Sequence, residues 1–152
     1  MRKRLLLAFL IATIFFILTT PAYSGDWVHV VKSNNDEYYL DLDNIKIDCS
    51  IITFWDNRIF TISKNNMKSR ISINCRDGTY NIIAIVDYKS DNTVREKYDF
   101  EQSPKWIGIL PDSVMGAFQM VLCEGDKPTQ DVRGRYRKFF IEELLKSNLA
   151  PK

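Results

Sequence analysis

Few side chains in this sequence could carry out a reaction. There is one histidine, His29, and there are three cysteines, Cys49, Cys75 and Cys123. A metal site built on several imidazoles is therefore impossible, and a Ser-His-Asp relay would have to use His29. That residue falls in "WVHVVK" (27–32), where Trp27, His29 and Val31 share one strand face and Val28 and Val30 the other. A packed or surface histidine is the simpler reading. Asp41, Asp43 and Asp48 lack the central glycine and closing glutamate of a calcium loop, so they read as turn chemistry and solvated strand ends. Neither a glycine-rich phosphate loop nor a Cys-x-x-Cys motif occurs. The expectation is a non-enzyme with no catalytic residue, metal ligand or cofactor.

Contact chemistry is better represented. "RGRYRK" (133–138) brings together Arg133, Arg135, Tyr136, Arg137 and Lys138. Arginine and tyrosine are common interface anchors, and the run could meet an anionic partner, a membrane surface or a polysaccharide. Its plainer reading is a solvated helix end. Trp27, Trp55 and Trp106 read as core, because a small domain needs its aromatic side chains to bury area.

These residues are read in the compartment that the first segment sets. "MRKRLLLAFLIATIFFILTTPAYSG" begins with Arg2, Lys3 and Arg4, runs apolar from Leu5 to Leu18, and ends in the small-residue pattern before Gly25. That is the layout of a secretory signal peptide, and the apolar run is short of the ~20 residues that a membrane span needs. The expected address is the periplasm or the outer cell surface. No cysteine precedes Cys49, so lipid anchoring is not expected, and after cleavage the chain is not an integral membrane protein. The chain holds 21 Lys+Arg against 19 Asp+Glu; without Arg2, Lys3 and Arg4, 18 stand against 19, a net charge of −1. A nucleic-acid partner is not expected from that balance.

In an exported chain an odd number of cysteines implies one pair and one left over. Cys75 ends a cleanly alternating strand and Cys123 ends a helix, so a bond between them would staple helix to sheet. A Cys49–Cys75 pairing is the alternative. If Cys49 is left over, it is a buried free thiol, or it joins two chains into a homodimer.

Six strand-like stretches must position all of this. "WVHVVK" and "EYYLD" (37–41) flank "SNND" and read as a hairpin with a longer loop. "SIITFWDNRIF" (50–60) follows, then "SRISINC" (69–75), which sets Ile71, Ile73 and Cys75 on one face. The Asp-Gly of "RDGT" (76–79) turns the chain into "YNIIAIVDY" (80–88), apolar enough for a central strand. "TVREKYDF" (93–100) mixes charges into its alternation, as an edge strand does.

Ser103-Pro104 then breaks the pattern, and Trp106 is expected at a helix–sheet junction. Pro111-Asp112-Ser113 starts a helix with Asp112 or Ser113 as cap, and Val114, Phe118, Val121 and Leu122 form its buried face. Gly125 suits a left-handed cap. "EGDKPTQD" (124–131) is linker-like. Residues 132–152 read as a second helix, stopped by Asn148 and Pro151, with Tyr136, Phe140 and Leu144 on one side. Its basic start opposes the helix dipole, so the first turn is expected to fray. The organisation is a signal peptide (1–24), an α+β domain (25–125), and a linker with a C-terminal helix (126–152).

Several landmarks together resemble the surface-adhesin protein E family of small exported bacterial proteins. They are "DW" (26–27), "YYLDLDNIK" (38–46), Trp55, "ISINC" (71–75), Tyr88, and the "W…ILPDS…VLC" of residues 106–123. The resemblance covers roughly residues 26 to 123. It implies an antiparallel sheet of about six strands with one helix packed on it, which the strand reading reaches independently. It also supports the Cys75–Cys123 bond. By function it implies a non-enzymatic, adhesin-like envelope protein that binds a protein or matrix ligand, and the family's association with haem would make His29 a candidate ligand. The alternative is a periplasmic structural or assembly factor that engages a protein partner through the C-terminal helix.

Overall fold

The computed structural model describes residues 25–101 and 105–149. The signal segment, Ser103-Pro104 and Pro151 lie outside the described residues. So do the side chains of Leu144 and Asn148, and the helix runs past Asn148.

The first hairpin joins β1 (Trp27–Ser33) to β2 (Asp36–Asp41). Its loop is shorter than expected. Ser33 pairs with Asp36, leaving a two-residue turn of Asn34 and Asn35 at φ 50° and 68°. Asparagine tolerates that left-handed region, and the turn matches the twist of the flanking strands. A bulge between His29 and Val31 breaks the alternation read for β1. Val31 consequently joins Val28 and Val30 against the core instead of lying opposite them.

A short β3 (Lys46–Asp48), unforeseen in the sequence, turns through Cys49 and Ser50 into β4 (Ile51–Phe60). There follow β5 (Asn66–Asn74), β6 (Thr79–Tyr88), β7 (Val94–Asp99) and β8 (Ile107–Gly108). The path β1-β2-β4-β5-β6-β7 is antiparallel throughout, and these are the six strands read from the sequence. β3 shares one side of β4 with β2, and β8 shares one side of β6 with β7. β7 is the expected edge, exposed along its whole length.

One sheet face is covered. Leu40, Ile52, Phe54, Ile71 and Ile73 are buried there against Phe118, Val121 and Leu122 of helix α1 (Val114–Leu122). Phe54 and Phe118 meet with ring centroids 5.2 Å apart. The helix begins where the sequence predicts: the Ser113 hydroxyl accepts the Gly116 N–H at 3.1 Å, a cap that contributes about 1 kcal/mol. Gly116 is required by close approach, because a Cβ there would run into the carbonyls of Leu110 and Pro111.

After Cys123 the supposed linker is structured. β9 (Cys123–Glu124) and β10 (Lys127–Pro128) form a miniature hairpin, and Thr129 is buried with its N–H donated to the Leu122 carbonyl at 2.9 Å. Gly125 has the left-handed φ expected of it, 64°, but in this hairpin turn and not as the helix cap. Asp131 then caps α2 (Val132–Leu149) by accepting the Gly134 N–H at 2.9 Å.

Candidate functional site

The basic segment that began as a contact candidate lies at the start of α2, and most of it is engaged by its own chain. The Arg133 guanidinium forks between Asp26 and Asp43, with its second nitrogen 2.9 Å from Asp43. Arg135 donates to the carbonyls of Met120 at 2.8 Å and Cys123 at 2.7 Å, satisfying acceptors at the end of α1 that have no helical partner. The Tyr136 hydroxyl donates to the His29 carbonyl at 2.9 Å, and burial holds that phenol above its ordinary pKa. These bonds and the Asp131 cap hold the first turn against the fraying expected from its charge. Arg137 and Lys138 are exposed, and neither has an ion-pair partner among the described residues.

The apolar side of α2 differs from the one expected. Val132 is buried, and Tyr136 and Phe139 pack on the core, whereas Phe140 is 44% exposed. Ile141 and Leu145 are exposed too, so the distal half presents an apolar surface. Between β1, the start of α1 and α2 runs a groove of about 610 Å³, bordered by Val30, Ala117, Met120 and Phe139.

His29 is a packing residue. It is half-buried, its ring is edge-on to Tyr39 at 5.4 Å, and its carbonyl anchors α2. Asp41 is buried and accepts from the Asp43 N–H and the Asn44 amide, at 3.0 and 2.7 Å. Asp48 lies exposed at the β3 end. Among the described residues no three His, Cys, Asp or Glu side chains group as metal ligands.

Cys75 and Cys123 are bonded and buried, joining the end of β5 to the end of α1. Cys49 is exposed, not buried as expected, because it occupies a two-residue hairpin turn at φ 53° with its side chain outside the sheet.

The tryptophans do not all join the core either. Trp27 and Trp55 are half-buried on the sheet face away from α1, and Trp106 is 40% exposed. Trp106 immediately precedes β8, whose Ile107 pairs with Tyr80 of β6. Val94, Tyr98, Phe100, Ile107 and Leu110, on or beside β7 and β8, are exposed as well. Tyr98 and Phe100 stack there with centroids 6.4 Å apart. Reading alternation alone could not find this strip, because it is assembled from two strands that meet the same side of β6 at different ends. Its residues resemble an ordinary edge strand until nothing is found to cover them.

Comparison with known proteins agrees with this geometry. The model of the family described as Surface-adhesin protein E matches residues 27–124. Among solved structures, the crystal structure of protein E from non-typeable Haemophilus influenzae superposes with a TM-score of 0.52 at 13% identity, covering 81% of this chain and 92% of that one. No curated protein matches. Among the described residues, no helix is long and apolar enough to cross a membrane.

Proposed function

Since the chain belongs to the surface-adhesin protein E family, we propose that it is an exported, adhesin-like envelope protein that binds a protein or matrix ligand without catalysis. The observation that carries this reading is the exposed β7–β8 strip, with Tyr98, Phe100 and Trp106 as its anchors. Aromatic side chains supply large contact area at little cost in conformational entropy, which is why they dominate binding hot spots. Arg95, Glu96 and Lys97 precede Tyr98 on β7 and keep the free edge soluble. In this proposal the segment 1–24 is removed and the mature chain starts at Gly25.

The test is adhesion to immobilised extracellular-matrix extract. Tyr98→Ala with Trp106→Ala should lower binding at least tenfold while leaving thermal unfolding nearly unchanged, since both side chains are already exposed. Unchanged binding would remove the strip from the interface.

A second reading has its own observation. Phe140, Ile141 and Leu145, with Arg137 and Lys138 beside them, make the outer half of α2 a surface for an envelope partner, as a periplasmic assembly factor would need. Protease treatment of intact cells carrying an epitope after Lys152 separates the two readings. Epitope loss places the chain outside the cell and favours adhesion. Protection until the outer membrane is breached places it in the periplasm, where Ile141→Asp should then abolish partner capture.

A further inference from the structure

The sheet face turned away from α1 carries an unusual set of polar groups. Strand register places Thr53, Ser72 and Asn81 in one row, Trp55 and Arg70 in the next, and Asn57 beyond them. Lys46, opposite Thr53, extends the first row to the rim. A concavity of about 270 Å³ opens here, lined by Asn44, Lys46, Thr53, Trp55 and Arg70.

Three observations describe what could fill it. Thr53 and Ser72 are hydrogen-bonded to each other at 2.7 Å, and beside them Asn81 is 5% exposed with its side-chain oxygen lacking a partner. The other buried side-chain oxygens without a partner among the described residues belong to Asn57 and Asn66, farther along the same face and outside the concavity. A buried acceptor left unpaired costs about 1–3 kcal/mol, so Asn81, beside Ser72 in register, suits a neighbouring hydroxyl donor. Next, Trp55 borders the concavity with an aromatic surface against which the C–H side of a pyranose ring can lie. Finally, Arg70 is a half-exposed fork whose ion-pair partner, the largely exposed Glu101, stands 3.9 Å away, and Lys46 adds a second cation at the rim. Such a guanidinium matches a carboxylate. The one buried carboxylate of this face, Asp41, is already bonded to Asp43 and Asn44.

We propose that this concavity is a subsite for one residue of a carboxylate-bearing saccharide. Trp55 supports the ring, Arg70 and Lys46 take the acidic group, and Asn44 and Thr53 of the same lining meet its hydroxyls. The volume is below the ~300–1,000 Å³ of sites that enclose a drug-sized ligand, as suits a single sugar unit of a longer chain. The site goes beyond the adhesin reading: none of Tyr98, Phe100 and Trp106 lines the concavity, so the protein-binding residues and the sugar subsite can fail independently.

Calorimetric titration of the chain from Gly25 to Lys152 with two probes tests it. A hyaluronan tetrasaccharide presents uronates, and sialyllactose presents a sialic acid. Saturable binding of either, weakened at least tenfold by Arg70→Gln and severalfold by Lys46→Ala, is the expected result. The probe that binds identifies the source of the carboxylate. A neutral chitin tetrasaccharide should bind at least tenfold more weakly than the acidic probe. Lys46 is exposed, so its variant folds and reports on the site even if Arg70→Gln were destabilising. Tyr98→Ala with Trp106→Ala should leave sugar affinity unchanged. No saturation with either acidic probe, or equal affinity in both basic-residue variants, overturns the proposal. So does equal binding of the neutral sugar.

Discussion

Replacing Cys75 and Cys123 together by alanine should lower the stability of the fold by about 4 kcal/mol. The bond closes a sequence separation of 48 residues, and the chain-entropy relation for a loop of that size yields about 4 kcal/mol of constraint on the unfolded chain. The tether also matters in the native state. Cys75 and Cys123 are both buried at the join of β5 and α1, next to Ile73, Val121 and Leu122. Without it, the helix is held on the sheet by packing around Phe118 and by the contacts of the β9–β10 hairpin. Denaturant unfolding of the wild type under reducing conditions should overlay that of the double variant, with both midpoints well below the oxidised chain. Coincidence of all three curves would show that the tether does not support the fold. Alkylation before reduction should modify Cys49 alone, since it is the exposed free thiol.

The second large effect concerns Asp56, a carboxyl buried on the helix side of β4 between Leu40 and Ser69 in register. Burial pushes its pKa up from 3.8 to about 7, against the Ser69 hydrogen bonds and the Arg58 charge, which favour the ionised form. The Ser69 N–H donates to it at 3.0 Å. Arg58 is committed to Asp36 at 2.6 Å and stacks over Phe60, so it compensates only in part.

A raised carboxyl pKa means that the folded state binds the proton more tightly than the unfolded state does. The neutral acid is accommodated at no electrostatic cost below pH 4. Stability attributable to this group then falls as pH rises from about 4 to about 7, and the full penalty is present above that. At ~1.4 kcal/mol per pH unit, the gap between 3.8 and about 7 sets an upper bound of about 4 kcal/mol. Asp56→Asn keeps an acceptor for the Ser69 N–H and removes the charge. The variant should match the wild type near pH 4 and exceed it by a margin that widens to pH 7 and then stays constant. Urea unfolding of both proteins between pH 4 and 8.5 measures that margin, and a margin independent of pH would refute the assignment.

Asp56 also shows where sequence reading stops. Its neighbours in "SIITFWDNRIF" alternate toward the core at Ile52 and Phe54, and the same period carries Asp56 inward. Periodicity therefore reports the direction of that side chain. Its desolvation depends on what lies over it, and β4 alone does not contain that information. The exposed strip is the converse case. Tyr98, Phe100 and Trp106 have the composition of a core, and their exposure goes with their place on or beside β7 and β8, the strands at which the sheet ends.

Local sequence was sufficient wherever the determinant is local. The six main strands, the Ser113 cap, the Phe118–Val121–Leu122 face and the left-handed Gly125 follow from side-chain period and backbone sterics, which act within a few residues. The sequence favours the Cys75–Cys123 pair, since each cysteine ends an element that packs on the other, but leaves Cys49–Cys75 open, and the fold decides between them. Tertiary structure alone decided the fate of the basic segment. Arg133, Arg135 and Tyr136 meet Asp26, Asp43, Met120, Cys123 and His29, partners remote in sequence whose positions exist only once the sheet is folded. It also decided that Lys46, Thr53, Trp55 and Arg70 line one concavity. Hydrogen bonds and charges act over a few ångströms, so their consequences depend on which distant strands the topology makes adjacent.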